Sequence, residues 1–214
     1  ESNLCAFNSP NAYVNSNIDQ ECIVDGCGTS NNPFKTITWT LAMIMPTENN
    51  FVTIHLANGV YSPETGETFP VILPNYVNIE GENKDLTILD ASNINRVMTI
   101  QDCENNYVSD LSITNGNILE LSTLELDFVY GGGGGLYVHN SNTSFSNLNI
   151  MNNYAETKGG GVHFFNSSST LDSINVYDNY TTTYCIDHNP YNSMLCSGEG
   201  GGISVQGNSN TPIN

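Results

Sequence analysis

Residues 133–140 read Gly-Gly-Gly-Leu-Tyr-Val-His-Asn, and the pattern returns as Gly-Gly-Gly-Val-His-Phe-Phe-Asn at 159–166 and Gly-Gly-Gly-Ile-Ser-Val-Gln-Gly at 200–207. The first two copies start 26 residues apart, and the third starts 41 residues after the second. A second pattern keeps the 26-residue spacing, since Asn-Leu-Asn-Ile-Met-Asn-Asn-Tyr at 147–154 returns as Ser-Ile-Asn-Val-Tyr-Asp-Asn-Tyr at 173–180. Two patterns in step with one period indicate a repeat architecture.

Each copy alternates apolar and polar residues over a few positions, which is typical of a short, half-buried strand. Two such strands cannot bury their apolar face alone, whereas stacked repeats bury a continuous core. We therefore predict an all-β fold, a right-handed parallel β-helix. The residues predicted to be buried are Val162, Phe164, Ile174 and Val176, and those predicted to be exposed are His163 and Asn175.

Asparagines recur at aligned positions of successive repeats, at Asn140 with Asn166 and at Asn153 with Asn179. Stacked asparagines can form hydrogen-bonded ladders along a solenoid. We interpret these positions as structural rather than as ligand-binding residues.

The segment from Asn32 to Met45 departs from the strand pattern. Its apolar residues recur at helical spacing, at Phe34, Ile37, Leu41 and Ile44. An asparagine followed by Pro33 is typical of a helix start. We predict a short helix with Asn32 as N-cap that covers the end of the solenoid, within a cap region at 1–50 that precedes coils at 51–214.

Two insertions interrupt the period, near 117–130 and 181–198. Both leave the coil after its second strand and before the triple glycine, so we expect them to project from the same side. Their aromatic and histidine side chains are the candidate ligand-binding residues, with the tyrosines as stacking platforms for sugars. These candidates are Phe128, Tyr130, Tyr184, His188 and Tyr191.

The cysteines are Cys5, Cys22, Cys27, Cys103, Cys185 and Cys196. An even number favours an oxidising compartment and disulfide bonds. The last two flank one insertion, and we predict that they form a disulfide. The first three lie together near the N-terminus and two of them can pair; Cys22 and Cys27 are named as disulfide cysteines, and the pairing among Cys5, Cys22, Cys27 and Cys103 stays open. Cys103, between strands, is expected to be buried and free.

The formal net charge is −18, and the fixed positive groups are Lys35, Lys84, Arg96 and Lys158. Such a surface repels phosphate backbones and anionic membranes, so we expect no nucleic-acid partner. A spanning helix needs an apolar run of about 18 residues, which the sequence lacks, so we expect no membrane insertion. Ca²⁺ remains open as a counterion, but the nonapeptide of calcium-binding β-rolls is absent, and we predict no metal site and no cofactor.

Residues 32–37 read Asn-Pro-Phe-Lys-Thr-Ile, 54–62 read Ile-His-Leu-Ala-Asn-Gly-Val-Tyr-Ser, 66–70 read Gly-Glu-Thr-Phe-Pro and 86–91 read Leu-Thr-Ile-Leu-Asp-Ala. This opening resembles bacterial right-handed parallel β-helix repeat proteins, and the triple-glycine coils are similar to those of chlamydial polymorphic outer-membrane proteins. The resemblance implies an exported protein, extracellular or at the cell surface. It says little about activity, because β-helices host adhesins, lyases and hydrolases alike.

The Phe-x-Thr-Ile start and the following Gly-x-Tyr also resemble pectin methylesterases. That resemblance implies catalysis by two carboxylates and an arginine on successive coils. Arg96 is the one arginine of the sequence, and no neighbouring pair of aspartates accompanies it at the expected later coil. Aligned outward positions likewise pair no acids of the kind that glycoside hydrolases use. We therefore predict no catalytic residues and lean against an enzyme.

The leading hypothesis is a non-enzymatic extracellular or cell-surface module with a structural or adhesive role, such as a stalk or filament subunit. Its expected partners are other copies of itself or a cell-surface assembly, and glycans. The alternative is a carbohydrate-binding or carbohydrate-active β-helix of the pectin lyase type. After 200–207 no second strand follows, so we expect either that the coils continue beyond residue 214 or that the open end stacks head to tail on another subunit.

Overall fold

The computed structural model describes residues 7–24, 26–119, 132–182 and 200–209, together with the backbone of 184–188 and 193–197. Within these residues the strands are numbered β1 to β21 in chain order. Sheet A contains β1 (Asn11–Val14), β2 (Val52–Leu56), β5 (Val77–Gly81), β8 (Glu104–Ser109), β12 (Asn142–Ser146) and β16 (Thr170–Asp172). Sheet B contains β3 (Gly59–Tyr61), β6 (Thr87–Asp90), β9 (Ser112–Thr114), β13 (Asn149–Met151) and β17 (Asn175–Tyr177). Sheet C contains β4 (Val71–Leu73), β7 (Met98–Gln101), β11 (Leu136–His139), β15 (Val162–Phe165) and β21 (Ile203–Gln206).

The chain visits sheets A, B and C in turn and then returns to sheet A one strand further on. Every pairing within the three sheets is parallel. A small fourth sheet contains β10 (Asn117–Ile118), β14 (Tyr154–Ala155) and β18 (Tyr180–Thr181). The predicted parallel β-helix is confirmed.

The core follows from the alternation of side chains along each strand. In sheet C the inward column runs from Met98 through Leu136 to Val162, each at 0% exposure. Each such aliphatic side chain stabilises the fold by about 1.5–3 kcal/mol. Phe164 is buried as predicted, whereas Ile174 and Val176 are only partly buried against the core. These two lie in the last described coil, where β17 has a described neighbour on one side only.

The coils turn at corners that use left-handed backbone. Between sheets C and A, φ is 53° at Asp102, 49° at Asn140 and 49° at Asn166. The corresponding residues at the other two corners are Asp110, Asn147 and Ser173, and Asn115, Asn152 and Asp178. Asn and Asp tolerate this conformation better than other side chains. These corners therefore account for five of the asparagines in the sequence.

The predicted Asn153–Asn179 ladder is present. Asn153 Nδ2 donates to Asn179 Oδ1 at 2.9 Å, and the Asn153 backbone N–H donates to the same oxygen at 3.0 Å. Asn140 instead donates to Asp102 Oδ1 at 2.6 Å. A different side chain thus completes the ladder at that corner.

The triple glycine permits a turn and a close approach that a Cβ would block. Gly133 has φ 70°, and a Cβ at Gly134 would lie 2.1 Å from the carbonyl oxygen of Tyr154. Glycine is the residue that tolerates both conditions. The repeat, rather than a phosphate-binding loop, explains this motif.

The two insertions leave the coil between the small fourth sheet and sheet C, as predicted. Most of the first, at 120–131, lies outside the described residues. The second includes an antiparallel hairpin formed by β19 (Tyr184–His188) and β20 (Ser193–Ser197). Both insertions therefore emerge beside sheet C.

The helix is shorter than predicted and starts later. Helix α1 spans Ile37–Met43, and Thr36, not Asn32, is its N-cap, accepting from the Trp39 N–H at 3.2 Å. The residues before it are extended, because Phe34 forms a parallel bridge with Val14. The single 3₁₀ turn among the described residues is η1 (Pro63–Thr65). The predicted cap region also contributes β1 to sheet A.

Two predictions about cysteines are confirmed. Cys22 and Cys27 form a disulfide with a Cα–Cα distance of 5.6 Å. Cys103 is a free thiol at 1% exposure, and its burial raises its pKa.

Candidate functional site

The outward face of sheet A carries an aromatic pair near the start of the solenoid. The register places Tyr13 beside His55 and His55 beside Glu80, on three adjacent strands. The rings of Tyr13 and His55 stack with their centroids 4.9 Å apart and an interplanar angle of 23°. Both side chains are half-buried. The parallel register itself therefore builds this pair, since it brings aligned positions of neighbouring coils together.

Polar side chains flank the imidazole of His55 on both sides, with a hydrogen bond on one side and a longer contact with a carboxylate on the other. Its Nε2 lies 2.9 Å from Asn11 Oδ1, and its Nδ1 lies 3.7 Å from Glu80 Oε2. Because an amide oxygen only accepts, Nε2 carries a proton in this arrangement. Glu80 Oε2 also accepts from the hydroxyl of Tyr107 at 3.3 Å. The side chains of Asn11, His55, Glu80 and Tyr107 thus form one continuous network across four strands of sheet A.

A groove of about 330 Å³ lies beside this network, at the carboxyl ends of β1, β2 and β5. Residues 13–15, 55–57 and 80–82 line it, together with Ser30 and Pro33. With a strand spacing of about 4.8 Å, three adjacent strands and the space beside them give a groove about 10 Å long. The lining combines two aromatic rings, backbone groups and two carboxylates, which suits a ligand with both apolar and hydroxyl-bearing faces.

The outward face of sheet C carries a second aromatic cluster. Tyr137 and His139 on β11 lie beside His163 and Phe165 on β15. The Tyr137 and His163 rings stack at 5.7 Å, and those of His139 and Phe165 lie 5.3 Å apart. Arg96 lies over the Tyr137 ring, with its guanidinium carbon 4.8 Å from the ring centroid. This face is therefore more aromatic than an ordinary solvated sheet surface.

His163 is buried, and the prediction that it is exposed is wrong. Its side chain points away from the core, as the alternation predicts, but the backbone of Gly132 lies against the imidazole. Its exposure is 0%, and neither ring nitrogen has a hydrogen-bond partner among the described residues. Burial, and then the positive charges of Lys158 and Arg96, lower the pKa of His163 to about 4. His163 is therefore neutral at neutral pH.

Arg96 has a structural role on this face. Its Nε donates to the carbonyl of Gly133 at 2.7 Å, and its Nη2 donates to that of Gly132 at 2.7 Å. Burial lowers the pKa of Arg96 to about 10, so the side chain remains charged at neutral pH. The arginine that pectin methylesterase chemistry would need is thus bonded to the returning end of the first insertion.

The predicted ligand-binding residues fall largely outside the described part of the chain. Phe128, Tyr130 and Tyr191 lie outside it, and Tyr184 and His188 are described only as backbone of the hairpin. The hairpin register places residue 185 opposite residue 196, the two predicted disulfide cysteines. Their side chains lie outside the described residues, so the Cys185–Cys196 bond stays a prediction.

No group of three or more His, Cys, Asp or Glu side chains that could hold a metal occurs among the described residues. In the same part of the chain, no helix has the length and apolar character to cross a membrane.

Sequence reasoning missed the groove on sheet A. Alternation along 11–14 and 52–56 places Tyr13 and His55 outward, and that signal was available. Glu80 follows on the next coil, but these early coils share no repeated motif that would reveal their alignment. The missing information was the register between coils.

The chain is similar to two solved structures and matches one family model. No curated protein sequence matches the chain. A pectin methylesterase mutant in complex with a hexasaccharide is similar, with a TM-score of 0.45, 13% identity, and coverage of 94% of this chain and 65% of that one. A pectin methylesterase in complex with another hexasaccharide is similar with a TM-score of 0.44 and 15% identity, and the match covers 95% of this chain and 66% of that one. The chain thus spans slightly less than two thirds of the length of either. The sequence model described as "Protein of unknown function (DUF1565)" matches residues 24–212, and the chain belongs to that family.

Proposed function

We propose that this chain is a non-catalytic carbohydrate-binding module that holds a polysaccharide in the groove on sheet A. The observation that carries the proposal is the stacked Tyr13–His55 pair beside a groove of about 330 Å³, with the His55 ring held by a hydrogen bond to Asn11. The proposal combines the adhesive role that the sequence favours with the alternative of sugar binding.

The chemistry of the lining supports a sugar as the ligand. A pyranose ring presents an apolar C–H face, which packs on aromatic rings, and equatorial hydroxyls, which need fixed donors and acceptors. Tyr13 and His55 offer aromatic rings for the C–H face, and the carboxylates of Glu80 and Glu82 offer acceptors for the hydroxyls. Because Asn11 and Glu80 already hold the imidazole, little side-chain freedom is lost when a ligand binds.

We place this module outside the cell or on its surface, where it acts within a surface assembly or with other copies of itself. The Cys22–Cys27 disulfide supports an oxidising compartment. The net charge of −18 favours solubility in such a setting over contact with anionic membranes.

The test is binding to a panel of polysaccharides and their oligosaccharides, measured by sedimentation with insoluble polymers and by calorimetry. Tyr13→Ala should weaken binding at least about tenfold, which corresponds to about 1.4 kcal/mol. The matched control is Tyr177→Ala, since Tyr177 is a 44% exposed tyrosine on sheet B, away from the groove. The proposal is overturned if no glycan binds, or if both variants reduce binding equally.

The same incubations are assayed for released reducing ends and for methanol. We expect neither product. Turnover that depends on His55 or Glu80 would overturn the proposed binding role and would indicate a carbohydrate-active enzyme.

A further inference from the structure

The charged side chains that line the groove on sheet A are carboxylates. Glu80 and Glu82 line it, and no lysine or arginine occurs among the described residues that do. The Glu80 side chain is 43% exposed, and Glu82 is exposed as well. His55 is the one basic side chain among the described lining residues.

Both carboxylates keep acceptor capacity for a ligand. The contacts of Glu80 with Tyr107 and His55 all use Oε2. Glu82 accepts from the backbone N–H of Asn58 at 3.0 Å, again through Oε2. The second oxygen of each group hydrogen-bonds to none of the described residues. A carboxylate can accept about four hydrogen bonds, so each can still bind a donor strongly.

We infer that the groove selects polysaccharides of amino sugars that carry free ammonium groups. This inference rests on the proposed function and names its ligand class. An ammonium group is compact and donates three hydrogen bonds, which suits two carboxylates with free acceptor oxygens near the end of one strand. A polyuronate would bring its own carboxylates against Glu80 and Glu82 and is disfavoured. A neutral or N-acetylated polymer can pack on the aromatic pair but offers the carboxylates no charged partner.

The expected selectivity is measurable. One ammonium–carboxylate contact at a partly exposed site gives about a tenfold preference. The preference should shrink at about 1 M salt, where the screening length falls to about 3 Å. Stacking on Tyr13 should change much less with salt.

The experiment compares oligosaccharides of equal length in weakly acidic buffer with EDTA. The probes are oligomers of glucosamine, N-acetylglucosamine, glucose and galacturonate. We expect glucosamine oligomers to bind about tenfold more tightly than the acetylated ones, and galacturonate oligomers to bind most weakly.

The decisive comparison uses two double variants with the same change in net charge. Glu80→Gln with Glu82→Gln should weaken the binding of glucosamine oligomers more than that of acetylated oligomers, so that the about tenfold preference between them disappears. Glu104→Gln with Asp172→Asn changes exposed carboxylates outside the groove and should preserve the preference.

The outcomes separate this inference from the proposed function. If neutral oligomers bind and the preference is absent, the inference fails while the binding module stands. If both double variants weaken binding equally, the attraction comes from the overall charge of the protein and the inference fails. Tighter binding of galacturonate also overturns it. If no oligomer binds, the proposed function itself has failed.

Discussion

Replacing Asn153 by alanine tests whether the asparagine ladder holds neighbouring coils together. The side chain is at 0% exposure, and its Oδ1 accepts from the Gly116 N–H at 2.8 Å. Its Nδ2 donates to the carbonyls of Met151 at 2.9 Å and Ile113 at 3.1 Å. It also donates to Asn179 Oδ1 at 2.9 Å. One carboxamide therefore connects three successive coils.

The loss can be estimated from these contacts. Gly116 is buried, so in the alanine variant its N–H loses its acceptor without gaining water. A buried unsatisfied group costs about 1–3 kcal/mol, and at least one carbonyl loses a donor as well. We expect a total of about 3 kcal/mol. Asn153→Asp keeps the shape but turns the donor into a charged acceptor against three oxygens, and should cost about 3–5 kcal/mol.

The measurement is urea unfolding followed by circular dichroism. With a slope of about 3 kcal/mol per molar urea, Asn153→Ala should lower the midpoint by about 1 M. Asn175→Ala is the control, because Asn175 is exposed and donates a single bond, to Asn149 Oδ1 at 2.9 Å. Its cost should stay within about 0.5 kcal/mol. Equal midpoints for the two variants would refute the role of the ladder.

Three further outcomes are expected. Glu67, at 4% exposure, accepts from backbone N–H groups at the start of α1, so Glu67→Gln should lower the melting temperature by several degrees, and an unchanged melting curve would contradict this contact. The folded-state pKa of His163 lies below the unfolded value of about 6.5. The free energy of unfolding is therefore unaffected by this group above about pH 6.5 and decreases as the pH falls from there towards 4. His163→Phe should therefore flatten the dependence of stability on pH in that window, by at most about 3 kcal/mol, and an unchanged profile would count against a buried neutral imidazole. Mass mapping of a non-reduced digest should recover Cys185 linked to Cys196, whereas two free thiols would exclude the bond.

The coils could be predicted because the repeat period and the alternation of apolar and polar residues both indicate which side chains point into the solenoid. Alternation separates inward from outward positions, but it carries no information on what folds over the outer surface. His163 shows the difference, because it is outward and yet covered by the backbone of Gly132.

The start of the helix could not be predicted from local sequence. Asn32 and Pro33 are a valid start signal, but two carboxylates distant in sequence determine the outcome. Glu21 accepts from the backbone N–H groups of residues 35 and 36, and Glu67 accepts from those of residues 37 and 38. Negative groups at this position stabilise a helix N-terminus, which fixes the start at Thr36.

The candidate site was difficult to predict for a related reason. Sequence reasoning favoured the insertions, since residues beyond the regular coil are free to serve a ligand. The groove on sheet A instead uses regular strand positions, where function depends on which coil lies beside which. Tyr13 belongs to the region predicted to be only a cap, although β1 pairs with β2 and extends the binding face by one strand.

The two ends of the solenoid differ, and this constrains how copies could assemble. In the first coil the inward side chains Val52 and Ile54 are at 1% and 0% exposure, with Ile37 of α1 buried in the same core. In the last described coil Val176 and Ile203 are only partly buried, and β17 and β21 have a described neighbour on one side only. Head-to-tail stacking into a filament needs an open strand edge at both ends, whereas the outer edge of β1 is already hydrogen-bonded to the backbone of Gly28 and Phe34. A copy stacked on β1 would have to displace these bonds, which disfavours head-to-tail assembly at the end of sheet A that carries the groove.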